Sequence, residues 1–365
     1  MNGHHIIVIG TSAGGMPALC QLVGQLPGSL PAAVLVVQHL AADSSGAYLV
    51  TCLARHTTLR CQLAEHGMPV EPGHLYLAPP DRHLLVSAGR LLVAQGPREN
   101  HYRPAADTLF RSAAAHYGAR VIGVVLTGML HDGTAGLEFI KRCGGLALVQ
   151  DPADAEFPSM PESALRNVAI DDVVPLARLG ARLEELVLQP VTEVLPIPED
   201  IQLEAAIAER VVSLGTPAEA SQLGRQVPLT CPDCGGSLWQ LENGRVLRYR
   251  CHTGHAFTAD SLLKESQEAL EESLWVAIRM LEERKTLLTN MSAQGEGTWS
   301  GQPQERIEEI KKHINRLRGF MLTGAAGHPG EASAMAAGPT LTPKEPEEPA
   351  RDAGRSSPAG SGLWA

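Results

Sequence analysis

Short runs of valine, isoleucine and leucine alternate with amphipathic stretches up to about Leu188. The runs "HIIVIG", "AAVLVVQH", "RVIGVVLTG" and "GGLALVQD" are continuously apolar, which is typical of strands buried on both faces. Strands that alternate with helices form a mostly parallel sheet, because each return connection crosses over through a helix. The sequence therefore predicts an α/β fold with a doubly wound, mostly parallel sheet.

The stretch between the second and third runs has a different pattern. "GHLYLAPPDRHLLVSAGRLLVAQGP" carries turn signals at Pro79-Pro80-Asp81 and at Ala88-Gly89. Short strands joined by tight turns pair antiparallel. We expect a small antiparallel extension in this part of the chain.

Charge and hydropathy exclude several classes of protein. The net charge of -10 and the pI near 5.8 argue against a nucleic-acid surface spread over the whole protein. No run of about 18 apolar residues is present, so the sequence predicts no membrane insertion. The start lacks the features of a secretory signal, and we expect a cytoplasmic protein.

Polar side chains follow three of the predicted strands. Ser12 comes after the first run, His39 ends the second, and Asp132 follows the third. In an open parallel sheet, the groups that contact ligands lie just beyond the carboxyl ends of the strands. A hydroxyl, an imidazole and a carboxylate are the three parts of a serine–histidine–aspartate relay.

The residues alone leave two alternatives open. Gly10-Thr11-Ser12-Ala13-Gly14 fits the G-x-S-x-G elbow that presents a nucleophilic serine, with the Ala13 N–H suited to an oxyanion. The same small residues could also cradle a phosphate, although the lysine of a P-loop is missing. Asp151, at the end of "LALVQD", rivals Asp132 as the acid, and we interpret His131 as a residue at the rim of the site.

Seven segments, in order, resemble the catalytic domain of the chemotaxis protein-glutamate methylesterases from about Ile6 to Leu188. They are "VIGTSAGG", "VVQHL", "PGHLYLAPPDRHL", "RPAADTLFRSAA", "GVVLTGMLHDGTAGL", "GGLALVQDP" and "PSMPESAL". The resemblance implies that Ser12 is the nucleophile, His39 the general base and Asp132 the orienting acid. It further implies an oxyanion site formed by the backbone N–H groups of Ala13 and Met129.

The resemblance also implies a substrate and a reaction. Members of this family remove methyl groups from glutamyl methyl esters on the cytoplasmic helices of chemoreceptors, and they also deamidate certain glutamines there. The expected partner is therefore a methylated chemoreceptor or a similar helical signalling protein. Such chemistry needs no catalytic cofactor, since a nucleophile, a proton shuttle and an oxyanion site suffice.

Two departures from the family pattern limit what the resemblance implies. Family members usually place a phosphorylatable receiver domain ahead of the catalytic domain, whereas this chain begins almost at its first strand, so control by an internal aspartyl phosphate is not expected. Ala13 replaces a residue that often carries a hydroxyl. Two rival functions stay open: a catalytically silent scaffold or binding module of a signalling complex, and a serine esterase acting on an unrelated ester.

A cysteine-rich segment follows. Cys231-x2-Cys234 and Cys251-x3-His255, separated by sixteen residues, have the ligand count and spacing of a tetrahedral zinc site. His252 is the alternative fourth ligand. Four ligands with no open position indicate a structural Zn2+ in a zinc ribbon, and Asn243-Gly244 predicts a tight hairpin turn within it.

The sequence predicts five segments. They are a methylesterase-like catalytic domain over 1–190, a linker over 191–227, the zinc ribbon over 228–258, a helical segment over 259–322 and a disordered tail over 323–365. A regulatory partner would bind through the C-terminal helices. Because the relay needs no metal, we expect the ribbon and the catalytic domain to respond to metal removal independently.

Overall fold

The computed structural model describes residues 5–191, 195–209, 221–222, 224–294 and 303–324. The chain forms two compact units, residues 1–273 and 274–365, and each is described by itself.

A seven-stranded parallel sheet is the centre of the first unit. Its strands lie in the order β3-β4-β2-β1-β7-β8-β9. Their bounds are β1 His5–Thr11, β2 Ala32–Gln38, β3 Arg60–Leu63, β4 His74–Leu77, β7 Val121–Val125, β8 Leu146–Gln150 and β9 Asp172–Val174. The central strands β1, β2 and β7 are buried along nearly their whole length, as their continuous apolar runs predict.

Helices cover both faces of this sheet. One face carries α3 (Ala106–Tyr117), α4 (Thr134–Arg142) and α5 (Ser159–Asn167), whose buried side chains join one apolar core. The other face carries α1 (Gly15–Val23), α2 (Gly46–Ala54) and α6 (Leu176–Leu188), which form a second core. The predicted doubly wound α/β fold is confirmed.

The antiparallel extension is smaller than the sequence predicts. Only β5 (His83–Ser87) and β6 (Arg90–Ala94) form an antiparallel hairpin. The preceding strand β4 pairs parallel with β2 and β3 instead, so its assignment to the extension is wrong. Its three last residues are fully buried, which the central position between two strands requires.

The second sheet of this unit is antiparallel, in the order β10-β11-β12-β13. Its strands are β10 Gly224–Thr230, β11 Ser237–Leu241, β12 Arg248–Cys251 and β13 Ala256–Thr258. The predicted turn at Asn243-Gly244 lies in a longer loop, residues 242–247. Glu138 of α4 accepts hydrogen bonds from the backbone N–H groups of Arg245 and Val246, so the loop is attached to α4.

The predicted linker contains regular structure. Helix α7 (Glu199–Ala208) packs Ile201 into the core beside α3, and Arg142 donates to Asp200 at 2.8 Å. Strand β10 begins at Gly224, before the predicted end of the linker. Residues 192–194, 210–220 and 223 lie outside the described residues. The domain boundaries given above stay predictions.

Two long helices follow, α8 (Ala259–Gln294) and α9 (Pro303–Gly324). In the second unit, Ile278 of α8 packs with Ile310 and Ile314 of α9. The predicted tail beyond residue 324 lies outside the described residues. Among the helices described, none is both long and apolar enough to cross a membrane.

Candidate active site

Ser12 lies in the turn between β1 and α1. Gly14 caps the helix with a φ of 70°, a left-handed conformation that glycine adopts without strain. The Ser12 N–H donates to the Thr127 carbonyl at 3.1 Å, and the Thr127 hydroxyl donates to the Ala13 carbonyl at 3.2 Å. The serine turn is therefore fastened to the end of the neighbouring strand β7.

His39 occupies the matching position beyond β2. Thr11 and Gln38 are register partners in the parallel pair β1–β2, so Ser12 and His39 are the next residues on adjacent strands. The Gln38 side-chain amide donates to the carbonyls of both Ser12 and His39, at 2.8 and 3.1 Å. This bridge fixes the two turns relative to each other.

Asp132 holds the imidazole. Its Oδ2 lies 2.7 Å from His39 Nε2, and both side chains are almost fully buried, 5% exposed for His39 and 0% for Asp132. Within the part of the chain that the structure describes, His39 Nδ1 is buried without a hydrogen-bond partner. Nε2 is thus bound to the acid, and Nδ1 is the nitrogen left to accept a proton.

Three further donors surround the Asp132 carboxylate. The N–H groups of Ala106 and Asp107, at the start of α3, donate at 2.5 and 3.2 Å, and Asn100 Nδ2 donates at 3.3 Å. Helix N-termini stabilise negative charge. Burial acts to raise the pKa of Asp132, but hydrogen bonding to His39 and to these amides keeps that pKa below its ordinary value.

Asp107 differs from its neighbour. Burial and then the charge of Asp132 raise the pKa of Asp107, although the Gly136 N–H donates to it at 2.6 Å. The two carboxylates share the Asn100 amide, which donates to Asp107 at 2.7 Å. The pKa is therefore raised for Asp107 and lowered for Asp132, whose carboxylate has the larger set of donors.

Tyr102 covers the imidazole. Its ring stacks on His39 with centroids 3.7 Å apart and an interplanar angle of 13°. No sequence pattern marks Asn100 or Tyr102 as a site residue, because the loop that carries them has no periodicity. Their closeness in sequence to "RPAADTLFRSAA" was the available signal.

The backbone positions predicted for an oxyanion site lie at the ends of paired strands. Ala13 follows β1 and Met129 follows β7, and β1 and β7 pair parallel. A Cβ placed on Gly128 would lie 3.0 Å from Ser12 Cβ, so the residue before Met129 is directly beside the serine. Leu130 has a φ of 71°, which marks a sharp turn immediately after Met129.

Of the two remaining candidate polar residues, Asp151 lies elsewhere on the sheet. Asp151 Oδ1 accepts from the Ala153 N–H at 2.9 Å, within its own turn beyond β8. Strand β8 is separated from β2 by β1 and β7, so Asp151 is remote from His39. His131 is half-buried, and burial lowers its pKa.

A second cluster gathers the predicted metal ligands. Cys231, Cys234, Cys251 and His255 bring their ligand atoms within 4.8 Å of one another. The separations are 3.7 Å between the Sγ atoms of Cys234 and Cys251, and 3.4 Å from Cys251 Sγ to His255 Nδ1. A tetrahedral zinc with bonds of about 2.0 to 2.3 Å requires ligand edges of roughly 3.3 to 3.8 Å, so these residues fit the ion.

The backbone around the cluster is built of two similar turns. Gly235 and Gly254 adopt φ values of 72° and 108°, and their N–H groups donate to the carbonyls of Cys231 and Cys251 at 2.9 and 3.0 Å. The other ring nitrogen of His255 lies 3.8 Å from Asp233 Oδ2, a common orienting contact for a histidine ligand. The alternative ligand His252 packs its ring edge toward Trp239 and is not part of the cluster.

The structure is an α/β protein that brings Ser12, His39 and Asp132 to the same edge of a parallel sheet, with Asp132 bonded to His39. Residues 7–183 match the sequence model of the CheB methylesterase family. A relative from Leptospira interrogans, named "Putative protein-glutamate methylesterase/protein-glutamine glutaminase", is 38% identical over 178 residues that cover 92% of its length and 48% of this chain. The chain belongs to the CheB methylesterase family.

Other relatives match the same half of the chain. Protein-glutamate methylesterase/protein-glutamine glutaminase 2 of Anaeromyxobacter dehalogenans is 40% identical over 181 residues, 50% of this chain and 53% of that protein. Protein-glutamate methylesterase FrzG of Myxococcus xanthus is 39% identical over 183 residues, 50% and 54%. This chain thus spans about half the length of these two relatives. The crystal structure of the Thermotoga maritima CheB methylesterase catalytic domain aligns with 34% identity and a TM-score of 0.49, covering 50% of this chain and 98% of that one.

Proposed function

We propose that the chain is a serine hydrolase that demethylates glutamyl methyl esters on chemoreceptor-type proteins, and that also deamidates glutamine, in chemotaxis signal transduction. One observation carries the proposal. The buried carboxylate of Asp132 holds the His39 imidazole at 2.7 Å, and the second ring nitrogen has no hydrogen-bond partner among the described residues. His39 and Ser12 follow register partners on the adjacent strands β2 and β1. The names of the relatives support the substrate.

The first half of the reaction is acyl transfer. His39 Nδ1 accepts the Ser12 hydroxyl proton as the oxygen attacks the ester carbonyl, and Asp132 stabilises the imidazolium that forms. The negative charge on the carbonyl oxygen is stabilised by the backbone N–H groups of Ala13 and Met129. Collapse releases methanol, which takes the proton from His39, and leaves a glutamyl ester on Ser12.

The second half is hydrolysis. His39 removes a proton from water, the hydroxide attacks the acyl-serine, and Ser12 leaves with the proton that His39 returns. The glutamate side chain departs as a free carboxylate. The same steps with a glutamine substrate release ammonia instead of methanol. None of these steps requires a catalytic cofactor.

The setting follows from the proposed substrate. The methylated segment of a chemoreceptor lies on cytoplasmic helices, so we place the enzyme in the cytoplasm. A regulatory partner would bind the C-terminal helices α8 and α9. The acidic balance of the chain, with a net charge of -10, gives no support for nucleic acid as a partner.

We further assign Cys231, Cys234, Cys251 and His255 as ligands of one structural zinc ion. The ligand separations match a closed tetrahedral site, and all four positions are protein side chains. Metal analysis of the purified protein should find one zinc per chain, lost in Cys234→Ser and kept in the control Cys61→Ser, which lies outside the cluster. A wild-type protein without bound zinc would refute the assignment.

A serine-directed fluorophosphonate tests the nucleophile. Mass spectrometry of the labelled protein should place one adduct on the peptide that contains Ser12. Ser12→Ala should remove the adduct, and the exposed control Ser29→Ala should leave it unchanged. Labelling of Ser12→Ala at the wild-type rate would exclude Ser12 as the nucleophile, and an unlabelled wild type would favour the silent scaffold.

A further inference from the structure

The cysteine-containing sheet is joined to the catalytic sheet by the loop over residues 99–102. The Asn100 N–H donates to the Ala256 carbonyl at 2.8 Å, and the Thr258 N–H donates to Asn100 Oδ1 at 3.0 Å. Glu99 also forms a bridge with Ala256. Strand β13 therefore pairs with this loop as a strand pairs with its neighbour.

The same asparagine reaches the catalytic acid. Asn100 Nδ2 donates to Asp107 at 2.7 Å and to Asp132 at 3.3 Å, while Oδ1 accepts from β13. The side chain is buried, and the residue has a φ of 49°. Asparagine tolerates this left-handed conformation and offers both a donor and an acceptor, so one residue serves both contacts.

The residue before Asn100 is anchored by the other sheet as well. Glu99 lies 2.6 Å from Arg111 of α3 and 3.3 Å from Arg250 of β12, and the two arginines are each 2% exposed. On α7, Glu204 completes the cluster, 2.8 Å from Arg248. The loop is thus held between α3 and the ribbon.

The metal ligands are adjacent in sequence to these contacts. Cys251 directly follows Arg250, and His255 directly precedes Ala256. An ion that binds both ligands fixes the turn between β12 and β13. It thereby also fixes the positions from which Arg250 and Ala256 contact the loop over residues 99–102. This arrangement differs from the independent behaviour that the sequence predicts for the two parts.

We propose that Asn100 is a positioning residue through which the metal-bound ribbon holds Asp132 in the geometry that the relay requires. This inference rests on the proposed function, since it assigns a role in that same site. The ribbon is then a structural part of the active site, although its metal takes no part in the chemistry.

Substitution of Asn100 tests the first half of the link. Asn100→Gly suits the left-handed backbone and removes all three side-chain hydrogen bonds, whereas Asn100→Asp keeps the acceptor for Thr258 and loses the donor to Asp107 and Asp132. Hydrolysis of p-nitrophenyl acetate by either variant should show kcat lowered about 10- to 100-fold, with KM changed by less than about 2-fold, because misplacement of a relay member impairs chemistry and not binding. His101→Gly, at the next left-handed position and 54% exposed in its side chain, is the matched control and should keep wild-type kcat.

A double-mutant cycle tests the second half. Cys234→Ser should lose the metal and lower kcat, and Asn100→Gly should lower kcat while keeping the metal. If the ribbon acts through Asn100, the double variant is no slower than the slower single variant, whereas independent effects multiply. Hydrogen exchange gives a readout that needs no turnover: removal of metal by a chelator should speed exchange of the peptide carrying the Ala106 and Asp107 amides, which donate to Asp132.

The outcomes separate this inference from the proposed function. Suppose that the wild type hydrolyses the ester and is labelled at Ser12. If Asn100→Gly is then as active as the wild type, or if the effects of the two substitutions multiply in the cycle, the inference is overturned and the proposed function is not. A wild type that neither hydrolyses the ester nor labels at Ser12 refutes the proposed function. In that case unchanged exchange at Ala106 and Asp107 after chelation overturns the inference too, and faster exchange supports the link from the ribbon to Asp132.

Discussion

Glu99→Gln is expected to lower the stability of the first unit strongly. The carboxylate is 4% exposed and makes a two-pronged contact with Arg111, at 2.6 and 3.0 Å, besides its contact with Arg250 at 3.3 Å. Glutamine has the same shape as glutamate but carries no charge, so the buried guanidinium groups of Arg111 and Arg250 lose one negative partner. Removal of one partner from a buried pair costs about 3 to 5 kcal/mol, and we expect about 3 kcal/mol because the amide oxygen still accepts one hydrogen bond.

The pH dependence of this effect has a definite sign. Burial acts to raise the pKa of Glu99, but the charges of Arg111 and Arg250 hold it far below the ordinary value. A carboxyl group with a depressed pKa stabilises the fold fully above its unfolded-state pKa, about 4.3 for glutamate, and loses that contribution as the pH falls further. The difference between wild type and Glu99→Gln should therefore be largest near neutral pH and shrink in acid.

Urea unfolding of the full chain at neutral pH and at about pH 3.5 measures both the size and the sign. A loss of about 3 kcal/mol corresponds to a melting temperature roughly 6 to 12 °C lower for a unit of this size. Glu162→Gln is the matched control, because Glu162 pairs with Arg166 at 3.6 Å on the surface, where such pairs contribute about 1 kcal/mol or less. Equal losses for the two variants would refute the view that the buried charge cluster stabilises the packing of the antiparallel sheet β10–β13 against α3.

Two further substitutions examine the relay itself. Asp132→Asn should lower kcat by about 10⁴-fold, as loss of the orienting acid does in serine proteases, whereas Asp151→Asn should retain wild-type activity. Steady-state ester hydrolysis measures both variants. The reverse result would mean that the acid is Asp151. Tyr102→Ala should lower kcat about 10-fold or more, because the imidazole of His39 loses the ring that stacks on it. Tyr102→Phe should keep wild-type kcat, because the stacking requires only the ring. A phenylalanine variant as slow as the alanine variant would mean that the hydroxyl is needed.

The central strands could be predicted from the sequence because burial on both faces leaves a continuous apolar run. Strands β3 and β9 carry no such signal: "RCQL" and "DVV" are short, and β9 contains an exposed residue. The apolar run "HLYL" did mark a strand, but a run of this length does not say which sheet it joins. Only the pairing with β2 and β3 places β4 in the parallel sheet.

Some residues of the candidate site could likewise be predicted from the sequence, and others could not. The strand-end rule placed Ser12, His39 and Asp132 at one edge of the sheet, and their roles stay predictions until tested. Asn100 escaped sequence reasoning because its partner Thr258 is 158 residues away, a separation that no local pattern encodes. The partners of Arg248 and Arg250 are the buried carboxylates Glu204 and Glu99, which likewise lie far from them in sequence.

Methanol release from a methylated chemoreceptor fragment tests the central claim most directly. Receptor fragments carrying a labelled methyl group would be incubated with the wild type, with Ser12→Ala and with the exposed control Ser29→Ala. We predict release of labelled methanol by the wild type and by Ser29→Ala, and loss of nearly all release with Ser12→Ala, because the members of the relay act as a unit. Equal release by wild type and Ser12→Ala, or no release by a wild type that hydrolyses small esters, would contradict the assignment of this chain as a methylesterase that acts through Ser12.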